Sequence, residues 1–173
     1  MIEASDKVTE LEGLPGVLTI YGYRNVNFVI WDGPANVETA ELMGRVTERR
    51  QRKHPEGLSV VHIVRAQVAM PDAATRDALV KLMKEVEGAV VALAVVIGGT
   101  GFWASGLRSL VTGMKMLSRS SFEMRLHGRV EEVVAWLPAA HTKRTGVPLE
   151  PSELLAALNQ VLALTPAASS PQP

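Results

Sequence analysis

Glycine, threonine and aromatic residues crowd one short stretch of this chain, Gly98-Gly99-Thr100-Gly101-Phe102-Trp103, directly after an apolar run of nine residues from Ala89 to Ile97. Glycine tolerates positive φ, and the free amides of a helix N-terminus attract anions with help from the helix dipole. Gly98, Gly99, Thr100 and Gly101 are therefore a candidate loop for an anion or a phosphate-bearing ligand. The plainer reading is a tight turn in which Thr100 caps the following helix. A Walker-type nucleotide loop is excluded, because no Gly-Lys-Ser/Thr follows and aromatics take the next positions. Phe102 and Trp103 are large apolar groups in a first helical turn, and exposed aromatics mark contact sites. Together with Arg108 on another face of the same helix, they are the candidate interaction residues.

Other residue types offer less. The four histidines, His54, His62, His127 and His141, show no His-x-x-x-His or His-Glu-x-x-His spacing, so no local metal motif exists. His62 interrupts an apolar stretch and reads as a hydrogen-bonded core histidine. Ser105 has Trp103 where a Gly-x-Ser-x-Gly elbow has its first glycine. Glu131 and Glu132 are consecutive on a helix and face apart, which disfavours acid–base partnership. The absence of cysteine removes disulfides, thiol catalysis and thiolate metal sites. The basic run Glu48 to His54 lies at a predicted helix C-terminus, where the dipole favours cations, and lacks the aromatic interleaving of a nucleic-acid patch. With 18 Lys and Arg against 18 Asp and Glu, the chain makes no field that would hold nucleic acid or an anionic membrane. No catalytic role, no cofactor and no metal are expected.

The elements that must position these residues follow from two alternating periods. Gly16–Tyr23 and Asn25–Trp31 are rich in Tyr, Val, Ile, Phe and Trp, and the break between them suits a hairpin. Asn36 is a plausible N-cap for a helix from Val37 to about Lys53, with Leu42 and Val46 inward and Val37 a further inward candidate. Leu58–Val64 is a buried strand, and Pro71-Asp72 open a second helix that reaches Glu87. Ala89–Ile97 is a strand covered on both faces. A third helix runs from Phe102 to about Arg119, with Trp103, Leu107, Leu110, Val111, Met114 and Leu117 at helical spacing. Phe122–Leu126 is a short strand, Val130–Leu137 a short helix ended by Pro138, and Pro151–Leu164 a last helix with proline in its first turn. The order is ββαβαβαβα plus a C-terminal helix. It predicts an α/β two-layer sandwich, a mostly parallel sheet of about five strands flanked by helices. Residues 1–15 read as an N-terminal lead, 16–138 as the domain, 139–164 as a connector and appended helix, and 165–173 as a disordered tail rich in Pro, Ala and Ser.

This order resembles the STAS domain, the fold of bacterial anti-sigma-factor antagonists, and more closely its lipid-transfer-like (CRAL-TRIO-like) bacterial branch of uncharacterised function. The residues that carry the resemblance are Phe28-Val29-Ile30-Trp31-Asp32-Gly33, Gly101-Phe102-Trp103, Arg108-Ser109-Leu110-Val111-Thr112-Gly113 and the closing Val130-Glu131-Glu132-Val133-Val134-Ala135-Trp136-Leu137. They span about Gly16 to Leu137. Phospho-switched members of that fold carry an acceptor serine at the start of the second helix. Here the turn reads Met70-Pro71-Asp72-Ala73-Ala74-Thr75, so Thr75 is the one surrogate acceptor and an ordinary first-turn threonine is the plainer reading.

Two functions are expected from this. The first is a non-enzymatic STAS-like regulatory domain that binds a protein partner or itself. The second is a binder of a small apolar or phosphate-bearing molecule, a lipid or nucleotide, in the crevice between the sheet and the third helix, where open α/β sheets hold ligands. The acidic start Met1–Asp6 lacks the apolar region of a secretory signal, and no apolar run approaches the roughly 20 residues of a membrane helix, so a cytoplasmic location is expected.

Overall fold

A computed structural model describes residues 7–65 and 67–166. Its elements are β1 (Thr9–Leu14), β2 (Leu18–Tyr23), β3 (Val26–Trp31), α1 (Val37–Lys53), β4 (Leu58–Val64), α2 (Ala73–Glu85), β5 (Val90–Ile97), α3 (Phe102–Ser118), β6 (Glu123–His127), α4 (Val130–Thr145) and α5 (Pro151–Leu164). The strands form one sheet in the order β1-β2-β3-β4-β5-β6. The first two pairings are antiparallel and the other three parallel.

Local chemistry accounts for the joints. β2 and β3 are a hairpin with Tyr23 opposite Val26, and Arg24 takes the left-handed conformation (φ 48°) that so short a turn requires. Asn36 caps α1 reciprocally with Thr39. The Asp72 carboxylate accepts the Thr75 amide at the start of α2. Parallel crossovers are right-handed in nearly all proteins, so a sheet built in sequence order places α1, α2 and α3 on one face. Side chains alternate accordingly. Val29, Trp31, Val60, Leu93, Val95 and Ile97 pack beneath α1–α3. Phe28, Ile30, Val61, Ala92, Ala94 and Val96 pack against α4 and α5 on the other face. Burial on both faces explains why β3, β4 and β5 read as nearly continuous apolar runs.

The α/β class, the parallel core and the helix-flanked sheet therefore stand, with a helix layer on each side. Three expectations change. The sheet has six strands rather than about five, because β1 lies inside the expected N-terminal lead. Its sequence, Thr-Glu-Leu-Glu-Gly-Leu, is polar because an edge strand needs only one partner and little core. Second, α4 runs through Pro138 to Thr145, so residues 139–145 are helix and not connector. A proline inside a helix costs about 3 kcal/mol. Val133 and Leu137 are fully buried here, with Ala140 and His141 packed alongside, and that burial offsets the cost. The appended helix α5 joins the same core through the fully buried Leu154, Leu158 and Val161. Third, Thr165 is no part of a loose tail. It is buried, its hydroxyl donates to Val161 O, and its carbonyl accepts from Arg65. The rest of the expected disordered tail from 167 onward, and the Met1–Asp6 start, lie outside the described residues.

Candidate functional site

The parallel strands end beneath α1–α3, and the space there is not filled. Trp31, His62, Val64, Leu93, Val95 and Ile97 form its floor. Met43 of α1, Leu79 and Met83 of α2, and Leu107, Val111 and Met114 of α3 form its roof. Val68, Ala69 and Pro71, from the β4–α2 connection, close one side. The cavity measures about 120 Å³, and a second of about 80 Å³ adjoins it, sharing Met43, His62, Leu79, Met83 and Leu93. Its origin is visible in α2, whose one buried residue is Thr75. Leu79, Leu82, Met83 and Val86 touch the core only in part.

Protein interiors are normally close-packed, with few voids larger than a water molecule. This space opens partly to solvent, and an apolar molecule that filled it would take its apolar walls out of water.

The lining of both cavities holds one ionisable group, His62. Trp31 Nε1 donates to His62 Nδ1 at 3.0 Å, and the two rings stack with an interplanar angle of 19°. An indole N–H can only donate, so Nδ1 is the acceptor and the ring proton sits on Nε2. Burial pushes the His62 pKa down to about 4, which keeps the imidazole neutral near pH 7. The expected hydrogen-bonded core histidine is thus present, and it faces a void as well as a partner.

The residues singled out in the sequence gather near this cavity but do different things. Phe102 is 96% exposed at the tip of α3. Trp103 turns inward, and its indole donates to Val68 O at 2.8 Å, pinning the connection that closes the cavity. Arg108 donates to Ile97 O at 2.5 Å and to Gly99 O at 3.1 Å, so it braces the glycine loop from behind. Gly98, Gly99 and Thr100 line a shallow depression of about 140 Å³ with Arg65 and Gln67. The Arg65 guanidinium is already committed to Asp32, at 2.9 and 2.5 Å, and to Thr165 O. Thr100 is not the helix cap. Gly101 holds that position with φ 100°, a conformation that glycine adopts and threonine resists. Leu117, expected in the inward stripe, is 69% exposed beside Met116 in the last turn of α3. Thr75 is buried inside the first turn of α2, so that turn would have to open before any modifying enzyme reached it.

One pairing gave no local signal. His141 of α4 and Ser59 of β4 are both fully buried on the opposite face, with Nδ1 and Oγ 2.7 Å apart. They lie 82 residues apart in sequence, and their burial puts them out of a substrate's reach. Among the described residues, no group of three or more His, Asp or Glu gathers where a metal could be held, and no helix is long and apolar enough to cross a membrane.

Comparison with known proteins finds no family model, no curated protein and no solved structure that this chain matches.

Proposed function

We propose that this domain binds a small apolar molecule between its sheet and helices α1–α3. The observation that carries the reading is the apolar cavity of about 120 Å³ whose lining holds a single ionisable group. Its place at the C-terminal ends of parallel strands is where α/β sheets usually hold ligands. A mostly apolar pocket with a few placed polar groups is the common form of a small-molecule site. An apolar ligand also suits the lipid-transfer-like branch of the STAS fold that the sequence resembles. The test is thermal unfolding with small hydrocarbons such as cumene. A ligand at 100 times its Kd stabilises the fold by about 2.7 kcal/mol, so the midpoint should rise. No rise with any such compound near its solubility limit would remove the reading.

A second reading, a STAS-like regulatory domain that binds a protein partner or itself, rests on exposed apolar groups at the two ends of α3. Phe102 in its first turn is 96% exposed, and Met116 and Leu117 in its last turn are 73% and 69% exposed. Exposed apolar groups of this size mark contact surfaces. Sedimentation of the wild type and of a Phe102→Ser, Leu117→Ser double variant tests self-association. A smaller species in the variant favours the reading, and a monomer in both counts against it.

A further inference from the structure

The cavity has a polar feature as specific as its apolar one. His62 lines both voids and stands between them. Its Nδ1 is occupied by the Trp31 indole, which fixes the remaining proton on Nε2. That Nε2 has no partner among the described residues, and it is not sealed in the core as are the orphaned Nε2 atoms of His127 and His141. A ring N–H that lines an apolar pocket and meets no protein acceptor is available to an acceptor on whatever enters. The lining around it contains no Lys, Arg, Asp or Glu. A charged ligand would therefore be buried without a permanent counter-ion, which is strongly unfavourable.

We propose that the ligand of this cavity is an uncharged, compact, apolar molecule with one hydrogen-bond acceptor, a carbonyl or ether oxygen, held by His62 Nε2–H. This rests on the cavity being a binding site, as proposed above. Size narrows the class further. An apolar cavity of about 150 Å³ holds a benzene ring. The two adjoining voids, of about 120 and 80 Å³, together suit a ring with a short substituent. The acceptor must sit near the middle of the combined space, where His62 is. A long-chain amphiphile with a charged head does not fit this description. An aryl ketone does.

The experiment compares two probes of nearly equal size, acetophenone and cumene, by calorimetric titration of the full chain. His62→Leu removes the donor. His62→Gln keeps one amide donor and one acceptor in roughly the same place, so the Trp31 indole retains a partner. One neutral hydrogen bond contributes about 0.5–1.5 kcal/mol net, which is roughly threefold to tenfold in affinity. The expected result is that His62→Leu weakens acetophenone by about that factor and leaves cumene unchanged or tighter. His62→Gln should restore most of the preference. In the wild type, the ¹⁵N resonance of His62 Nε2 should move with acetophenone and not with cumene, which keeps the test sound if a variant folds poorly. An acetophenone-to-cumene ratio unaltered by His62→Leu, or an Nε2 resonance indifferent to the ketone, overturns the assignment while leaving the cavity as a binding site. Failure of both probes to bind the wild type overturns the cavity reading and this one with it.

Discussion

Mild acid should destabilise this domain through His141, well before its carboxylates titrate. The imidazole is fully buried on α4, with one nitrogen 2.7 Å from Ser59 Oγ and the other sealed without a partner. Burial, helped by the Arg24 charge and opposed by Glu56, pushes its pKa from 6.5 to about 4. The sign follows directly. Between pH 6.5 and 4 the unfolded chain takes up a proton that the folded chain refuses, so stability falls as pH falls. The contribution is whole above pH 6.5 and gone below about pH 4. At 1.36 kcal/mol per pH unit, the loss amounts to about 3 kcal/mol, a large share of the 5–15 kcal/mol typical of a domain. The assay is urea unfolding followed by circular dichroism at several values between pH 7 and pH 5, a range above the titration of ordinary carboxylates. His62 is held near 4 in the same way, and His54 and His127 are also lowered by burial, so the wild-type slope sums several groups. A His141→Leu, Ser59→Ala double variant isolates one. Removing both partners together avoids leaving a lone buried hydroxyl, so its stability at pH 7 should stay within about 1–2 kcal/mol of wild type. Its slope between pH 6.5 and 5 should be shallower by about 1 kcal/mol per pH unit, because the unfolded histidine is half protonated at pH 6.5 and nearly fully so at pH 5. Equal slopes in the two proteins would refute the reasoning.

Three further outcomes follow from the same packing. Trp103→Phe removes the bond to Val68 O; hydrogen exchange should quicken across 67–70 and cumene should bind a few-fold more weakly, with a stability change of about 1 kcal/mol or less. Val111→Leu adds a methylene to the cavity roof; the melting temperature should rise by about 2–4 °C, and calorimetry should show weaker cumene binding. Pro138→Ala restores a backbone donor inside α4 and should stabilise the fold by about 1–3 kcal/mol in urea, whereas a loss would show that the proline ring is needed where it packs.

How much of this was legible in the sequence depends on the kind of signal each feature leaves. Leu58–Val64 and Pro151–Leu164 read correctly because apolar period and proline punctuation act within one element. β1 did not, because an edge strand with one partner can stay as polar as a loop. Pro138 misled because its local cost is real but smaller than the burial of Val133, Leu137, Ala140 and His141 around it. The site was legible only in outline. The crevice at the strand ends and the hydrogen-bonded His62 follow from pattern. The Trp31–His62 bond needs the β3–β4 register, which pairs Val29 with His62 and so sets Trp31 diagonally beside it. The void itself leaves no trace in periodicity. Met43, Met83 and Met114 occupy helical positions that look the same whether the space beneath them is full or empty. It arises from the summed volumes of three helices and three strands, which no single segment encodes.

Occupancy of the cavity is most directly measured by methyl NMR of protein carrying ¹³C-methyl methionine, titrated with cumene. Met43, Met83 and Met114 line the cavity, and Met116 projects outward at 73% exposure. The account predicts saturable shifts in the first three and none in Met116. Shifts confined to Met116, or none anywhere at the solubility limit, would contradict it.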